Sequence, residues 1–352
     1  MASGTGVQPA SVASGRGVQP APVASGTDVQ PPPVASGFSR KALDAVAGQA
    51  RWILFGGKGG VGKSTCAAAA ALHAARRKRV LLLSVDPAHS LGDVFGARFD
   101  NQPREVPGGP AALHVREIDA AAEMDRFRTK YIAAVDEAFA RIARSAGGDQ
   151  AAFRDLIDLA PPGIDEVIAI ADVADAVADR KGRYDVIITD TAPTGHALRL
   201  LQTPAVLRDW TLALMAILLK YREIVGAGTL AQLLVQLSKR LRRLQDILAD
   251  PAQSRFVVVT RAAVLPLRES LDLIEALGPI GLSAGAIIVN AAGAGDCPRC
   301  RTSAKAQARA IDQLRGSAAG GACAIIEAPA EIPPPHGVEA LTHWGLAWRR
   351  LT

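Results

Sequence analysis

One run of nine residues carries the most specific chemistry in the chain: Gly57-Lys58-Gly59-Gly60-Val61-Gly62-Lys63-Ser64-Thr65. It satisfies the spacing G-x-x-x-x-G-K-[ST], in which glycines let backbone N–H groups converge on phosphate oxygens. A lysine at position 63 suits β- and γ-phosphate oxygens, and a hydroxyl at position 64 is a hard oxygen ligand for Mg²⁺. The cofactors expected are therefore a nucleoside triphosphate and Mg²⁺. Lys58 places a second ammonium inside the same loop.

Two aspartates stand in related contexts. Asp86 opens Asp86-Pro87-Ala88-His89-Ser90-Leu91, and Asp190 opens Asp190-Thr191-Ala192-Pro193-Thr194-Gly195-His196. Each follows an apolar run, VLLLSV in one case and YDVIIT in the other. A carboxylate at the carboxyl end of a buried parallel strand can hold Mg²⁺, directly or through water, or position an attacking water. Either Asp alone could equally cap a helix. The pair beside a phosphate loop points to one nucleotide site.

The elements that must position these residues are legible as alternation. Short apolar runs at 51–57, 80–86, 184–190, 255–260, 285–290 and 323–328 predict buried strands, and helical stretches such as Ser64–Arg79 and Leu267–Leu277 fit between them. Continuous apolar strands alternating with helices predict an α/β fold, a mostly parallel sheet covered on both faces. Segments 119–182 and 204–250 break the rhythm with long helical composition, and are expected to form a helical subdomain inserted around the strand that ends at Asp190. The ordered domain is expected to span residues 39–352. Before it, ASGTGVQPASV, ASGRGVQPAPV and ASGTDVQPPPV repeat in tandem. Units so rich in Gly, Pro and Ser bury too little surface to offset their ordering entropy, so residues 1–38 are expected to be a disordered tail.

Together, GKGGVGKS, DPAHSL and DTAPTGH resemble the ArsA/Get-type ATPases, a family that includes arsenite-pump ATPases and tail-anchored-protein targeting factors. The resemblance runs from about Trp52 to Ala340. It implies a P-loop enzyme hydrolysing ATP as a homodimer. It also implies catalytic roles for Asp86, Lys58 and Lys63. Asp86 would position the water, and Lys58 would reach a nucleotide across the dimer interface. Asp190 would contact the Mg²⁺ shell, and the loop after it would sense the γ-phosphate. Asn290 matches the family's adenine-contacting Asn. Pro329 and the run Gly337–Leu341 match its C-terminal nucleotide loop more loosely. The family's glutamate before position 267, which approaches nucleotide from the partner chain, has no counterpart in Ala262-Ala263-Val264.

Cys297-Pro298-Arg299-Cys300 supplies half of a tetrahedral zinc site, and two chains about a two-fold axis could complete it. The family often binds zinc there between protomers. An Fe–S ligand, a redox pair or ordinary thiols are the other readings of one CxxC. Four cysteines in 352 residues are no disulfide framework, which suggests a reducing, cytoplasmic setting. No stretch approaches the length of a membrane span and no secretory signal is visible, so the chain is not expected to be transmembrane. The net charge of +6 fits a solvated Arg-rich surface, and no nucleic-acid partner is expected.

Trp210–Leu219 is apolar on every face, and Leu230, Leu233, Leu234, Leu237, Leu241, Leu244 and Leu248 form a helical stripe. In the targeting factors the corresponding helices form a groove for a membrane segment; alternatively, these helices pack on one another as a core. The function expected is an ATP-driven switch that handles a hydrophobic membrane-protein segment or a membrane transport partner. A second reading is the ATPase of an arsenite or anion efflux pump. Soft As(III) wants thiolates, however, and residues 101–296 contain no cysteine. A third is an Fe–S cluster carrier, against which the two switch motifs argue.

Overall fold

The computed structural model describes residues 38–86, 90–119, 173–179, 182–191, 206–213, 229–293, 297–317 and 323–352, with isolated positions at 125, 129–130, 133–134, 136–137, 204 and 215–216. The N-terminal repeat, the Pro87-Ala88-His89 part of the first switch, residues 192–200 and most of the expected helical insertions lie outside the described residues.

Strand residues alternate between two faces, and the burial follows that period of two. β1 (Trp52–Gly56) sends Trp52 and Leu54 into one core cluster and Ile53 and Phe55 into the other. The same split holds along β2 (Val80–Ser84), β5 (Val186–Asp190), β6 (Ser254–Arg261), β7 (Ala284–Ala292) and β8 (Ala324–Pro329). Helices α1 (Phe38–Ala47), α2 (Lys63–Ala74), α3 (Ser90–Phe95) and α7 (Gly337–Leu346) cover one face. Helices α4 (Thr229–Ala249), α5 (Val264–Leu277) and α6 (Pro298–Ser317) cover the other. Strands buried on both sides carry apolar residues at consecutive positions, which is why those runs are visible in the sequence.

The sheet order, with β3 (Arg104–Glu105), β4 (Leu113–Glu117) and β9 (Arg349–Arg350) included, is β3-β4-β2-β5-β1-β6-β7-β8-β9. The seven inner strands are parallel, and only the short edge strands β3 and β9 run antiparallel. The α/β fold with a mostly parallel sheet is thus as expected. The strand ending at Asp190 lies between β1 and β2, so the carboxyl ends carrying Gly57, Asp86 and Asp190 are neighbours. Hydrogen bonds lock these ends together. Val85 N–H donates to the Asp190 carbonyl at 3.0 Å, and Thr191 donates both N–H and Oγ1 to the Phe55 carbonyl at 3.1 and 2.8 Å.

The sequence reading had no strand at β4. Leu113 and Val115 are buried there, but His114 and Arg116 between them mask the pattern. Both polar side chains find distant partners: Arg183 for His114 at 2.7 Å, and Asn101 for Arg116 at 2.9 Å.

The stripe on α4 is a core-facing stripe over most of its length. Leu237, Leu241, Leu244, Ile247 and Leu248 belong to the sheet's cluster, and Leu233 is only half-buried. Each such side chain contributes about 1.5–3 kcal/mol by leaving water. The polar side of α4 is tied to the helical residues 173–178 through Arg240 and Arg243, each 2.7 Å from the Asp175 carboxylate. In the described part of 204–219, Leu207 is fully buried and Val206 and Leu212 are exposed.

Candidate nucleotide site

The phosphate loop leaves β1, the middle strand of the site, through Gly57. A Cβ at this position would lie 2.1 Å from the Val259 carbonyl oxygen of neighbouring β6, so only glycine fits. Gly62 closes the loop at φ +91°, and a Cβ there would lie 2.2 Å from Asn290 Nδ2. Between them Gly59 and Gly60 are exposed and Val61 is buried. Gly62 is the N-cap of α2 and Lys63, Ser64 and Thr65 form its first turn. No side chain caps that end and no acid sits in its first turn, which suits its N–H groups and positive dipole end to an anion.

The two lysines of the loop diverge. Lys63 is buried and its Nζ donates to the Lys58 carbonyl at 3.5 Å, so it curls over its own loop. Lys58 Nζ instead lies 2.6 Å from Glu269 Oε1 on α5.

Three hard oxygens meet at the end of β5. Ser64 Oγ is 2.6 Å from Asp190 Oδ2 and 2.6 Å from Ser90 Oγ, and Ser90 Oγ is 3.4 Å from the same carboxylate oxygen. Burial pushes the Asp190 carboxyl up to about 7, with the nearby Asp86 charge adding to the rise. The Ser64 hydroxyl and the Lys63 charge oppose it. Asp190 Oδ1 is buried and has no protein partner. Two hydroxyls and one carboxylate, whose second oxygen is buried without a protein partner, are hard oxygen donors that fit a Mg²⁺ ion. Asp86 stands two residues past β2, its N–H donating to Ser84 Oγ at 3.1 Å.

Asn290, near the end of β7, is nine-tenths buried and turned toward the loop. Its Nδ2 donates to the Val61 carbonyl at 2.7 Å and its Oδ1 accepts the Ala291 N–H at 2.7 Å. Pro329 closes β8, and its carbonyl accepts the Trp344 indole N–H at 2.8 Å. The fold therefore gathers Lys58, Lys63, Ser64, Asp86, Asp190 and Asn290 around the carboxyl ends of the central strands. Sequence reasoning missed two neighbours of this set: Ser90, beside Ser64 and Asp190, and Glu269, which touches the site only through its ion pair with Lys58. Ser90 lay in plain sight, four residues after Asp86; nothing local marks Glu269.

Cys297 and Cys300 sit apart, at the start of α6, exposed and half-buried respectively. The Cys300 N–H donates to Cys297 Sγ at 3.2 Å, and hydrogen bonds from Cys300 hold the Cys297 thiol below its ordinary value. Such a pair suits a zinc ion needing thiolates. Among the described residues no group of three or more His, Cys, Asp or Glu gathers to hold a metal. Cys66 is fully buried on α2, its thiol pushed up by burial, and Cys323 is half-buried at the edge of β8. Neither belongs to the pair.

A family model described as an anion-transporting ATPase matches residues 50–329. The chain is also similar to three fungal proteins. It is 34% identical over 292 residues to the ATPase GET3 of Zygosaccharomyces rouxii, covering 75% of this chain and 80% of that one. It is 33% identical over 283 residues to the ATPase get3 of Aspergillus terreus, covering 75% and 81%. It is 32% identical over 255 residues to the ATPase GET3 of Malassezia globosa, covering 68% and 72%. No helix of the described residues is long and apolar enough to cross a membrane. With its phosphate loop on the central strand and its match over most of the domain, the chain is an ATPase and belongs to the ArsA family of anion-transporting ATPases.

Proposed function

We propose that the chain works as a homodimeric ATP-driven switch that handles a hydrophobic membrane-protein segment. The observation that carries the two-chain part is the divergence of the loop lysines. Lys63 covers its own phosphate cradle, while Lys58 points out of it toward α5. In this reading the N–H groups of Gly59 to Ser64 and the Lys63 ammonium bind the β- and γ-phosphates of ATP. Asp86 orients the attacking water in line with the γ-phosphate. Lys58 of a second copy meets the charge that develops on the transferring phosphoryl group, as an arginine finger would. Ser64 and Asp190 would hold Mg²⁺, which when bound neutralises phosphate charge. Asn290 and Pro329 would border the adenine.

The client part rests on the family resemblance of the switch motifs and on the exposed Val206 and Leu212, on a helix whose other side enters the core through Leu207. A pump for arsenite has less support, since the described cysteines offer no third thiol near Cys297 and Cys300.

The test is complementation. Lys58→Ala and Asp86→Asn chains are each expected to be inactive. A mixed pair has one site with every part, so the mixture should hydrolyse ATP well above either parent. No recovery, in chains shown to exchange, removes the two-chain site.

A further inference from the structure

The partner of Lys58 has a consequence for how the two-chain site forms. Lys58 follows β1 and Glu269 lies on the helix that follows β6, the strand beside β1. Their ion pair therefore ties the phosphate loop to the next strand–helix unit at the same end of the sheet. The main chain of Lys58 is braced on the other side, since its carbonyl accepts from Lys63. The Lys58 side chain is thus held away from its own cradle by one carboxylate.

Two features set the strength and place of this hold. Both side chains are 35% exposed, and an ion pair of that kind is a weak restraint that a more highly charged anion can outcompete. A γ-phosphate is such an anion. Glu269 also lies four residues after Leu265, so the two share one face of α5. Leu265 is 60% exposed and its neighbour Val264 is 81% exposed. The pair therefore borders an uncovered apolar face, of the kind that a second copy of this chain would bury.

We propose that Glu269 is a positioning residue for Lys58: it restrains the ammonium within the single chain and surrenders it to the nucleotide of a second copy that covers the Leu265 face. This rests on the two-chain reading above. The restraint makes each chain's release of Lys58 part of the work of association. Lys58 remains the group that meets the phosphate; Glu269 acts only through it.

Three measurements test this. Glu269→Gln keeps size and removes the charge. The chain concentration giving half-maximal ATP turnover should fall by about 2- to 5-fold, the range that a partly exposed pair supports, with the plateau retained. Glu269→Asp, one methylene shorter with its charge intact, should stay near the wild type. In a Lys58→Ala background, association driven by a non-hydrolysable ATP analogue should no longer respond to Glu269→Gln. A response that persists there means Glu269 acts on its own, and overturns the restraint. So does an unchanged or raised half-maximal concentration. The third measurement needs no variant: a zero-length carbodiimide should join Lys58 to Glu269 within one chain, read by peptide mass spectrometry. The cross-linked yield should drop several-fold when the analogue and Mg²⁺ are added. A yield that does not drop overturns the restraint while leaving complementation intact. Failed complementation removes the role of Lys58 in a second site, whatever the cross-link reads.

Discussion

Ser64 and Asp190, 126 positions apart in the chain, meet with the serine Oγ 2.6 Å from the carboxylate Oδ2, and the other carboxylate oxygen is buried without a protein partner. One residue comes from the first turn of α2 and the other from the end of β5. Their contact is fixed by the pairing of β5 with β1, which registers Asp190 against Phe55. If these oxygens form the Mg²⁺ shell, Ser64→Ala removes one ligand without altering the nucleotide's phosphate contacts. The Mg²⁺ concentration for half-maximal turnover should rise by more than about tenfold, on the scale of a lost supporting ligand. Metal titration at saturating ATP checks this, and an unchanged midpoint would take Ser64 out of the shell.

Lys63→Ala should abolish turnover. The buried ammonium is the single positive side chain inside its own cradle among the described residues, and loss of one preorganised charge costs about 10²–10³ in rate. Retention of more than about a tenth of the activity would contradict the role given to this loop.

How much of this was legible follows from where each partner lies. The phosphate loop was readable because its chemistry needs contiguous residues, and Asp86 and Asp190 because each ends an apolar run. The α/β class was readable because strands such as 80–84 and 186–190 are buried on both faces and so carry consecutive apolar residues, Val80–Leu83 and Val186–Ile188, before their polar ends. β4 was not, because His114 and Arg116 hide its alternation and their partners Arg183 and Asn101 lie elsewhere. Glu269 was not, because only the adjacency of β1 and β6 brings α5 to Lys58. The leucine stripe of α4 was visible, yet its spacing alone could not say whether it faces a client or the sheet. The burial of Leu241 and Leu244 in the same core cluster as Trp52 and Phe256 of the sheet answers that for the helix's second half.

His114 should make the edge of the sheet sensitive to acid. Burial first, and the Arg183 guanidinium second, hold its imidazole below the ordinary histidine value, with Glu105 opposing. Arg183 Nη2 lies 2.7 Å from Nε2 and can only donate, so the ring is neutral there; the Tyr184 ring packs beside it. The unfolded chain takes up the proton first as pH falls. This contribution to stability is therefore full above the ordinary value and lost as pH drops through the folded value. Denaturant unfolding at pH 7.5 and pH 5.5 should show the wild type losing more stability than His114→Gln. An equal loss in both proteins would mean that His114 titrates as it does in the unfolded chain.

Cys297 and Cys300 give the metal prediction. The purified protein should hold about one zinc per two chains, because two thiolates per chain make half a tetrahedral site. Cys297→Ser should release the metal and weaken association of the chains. A full zinc per chain in metal analysis would contradict shared coordination, and an absorbance near 400 nm would favour an Fe–S cluster instead.

The last prediction concerns coupling between ATP and the exposed apolar helix. Asp190 and Thr191 lead directly into residues 192–200, which lie outside the described residues, and then into the helix at 206–213. Leu207 and Trp210 of that helix touch the core cluster that includes Ile187 of β5, while Val206 and Leu212 face solvent. A γ-phosphate contact at residues 191–195 would act at one end of this connection, in the way switch loops of nucleotide enzymes work. It can move the helix only if ATP binds the two arrangements with different affinity. Trp210 reports on the buried side, and an apolar dye reports on the exposed side. The other tryptophans, Trp52, Trp344 and Trp348, are all fully buried in the sheet's two cores, so a nucleotide-dependent emission change should vanish in Trp210→Phe. Dye binding should differ several-fold between the ADP form and an Asp86→Asn form holding ATP. If neither signal depends on nucleotide in a protein that hydrolyses ATP, the helix is a fixed part of the core and the proposed handling of a hydrophobic segment falls.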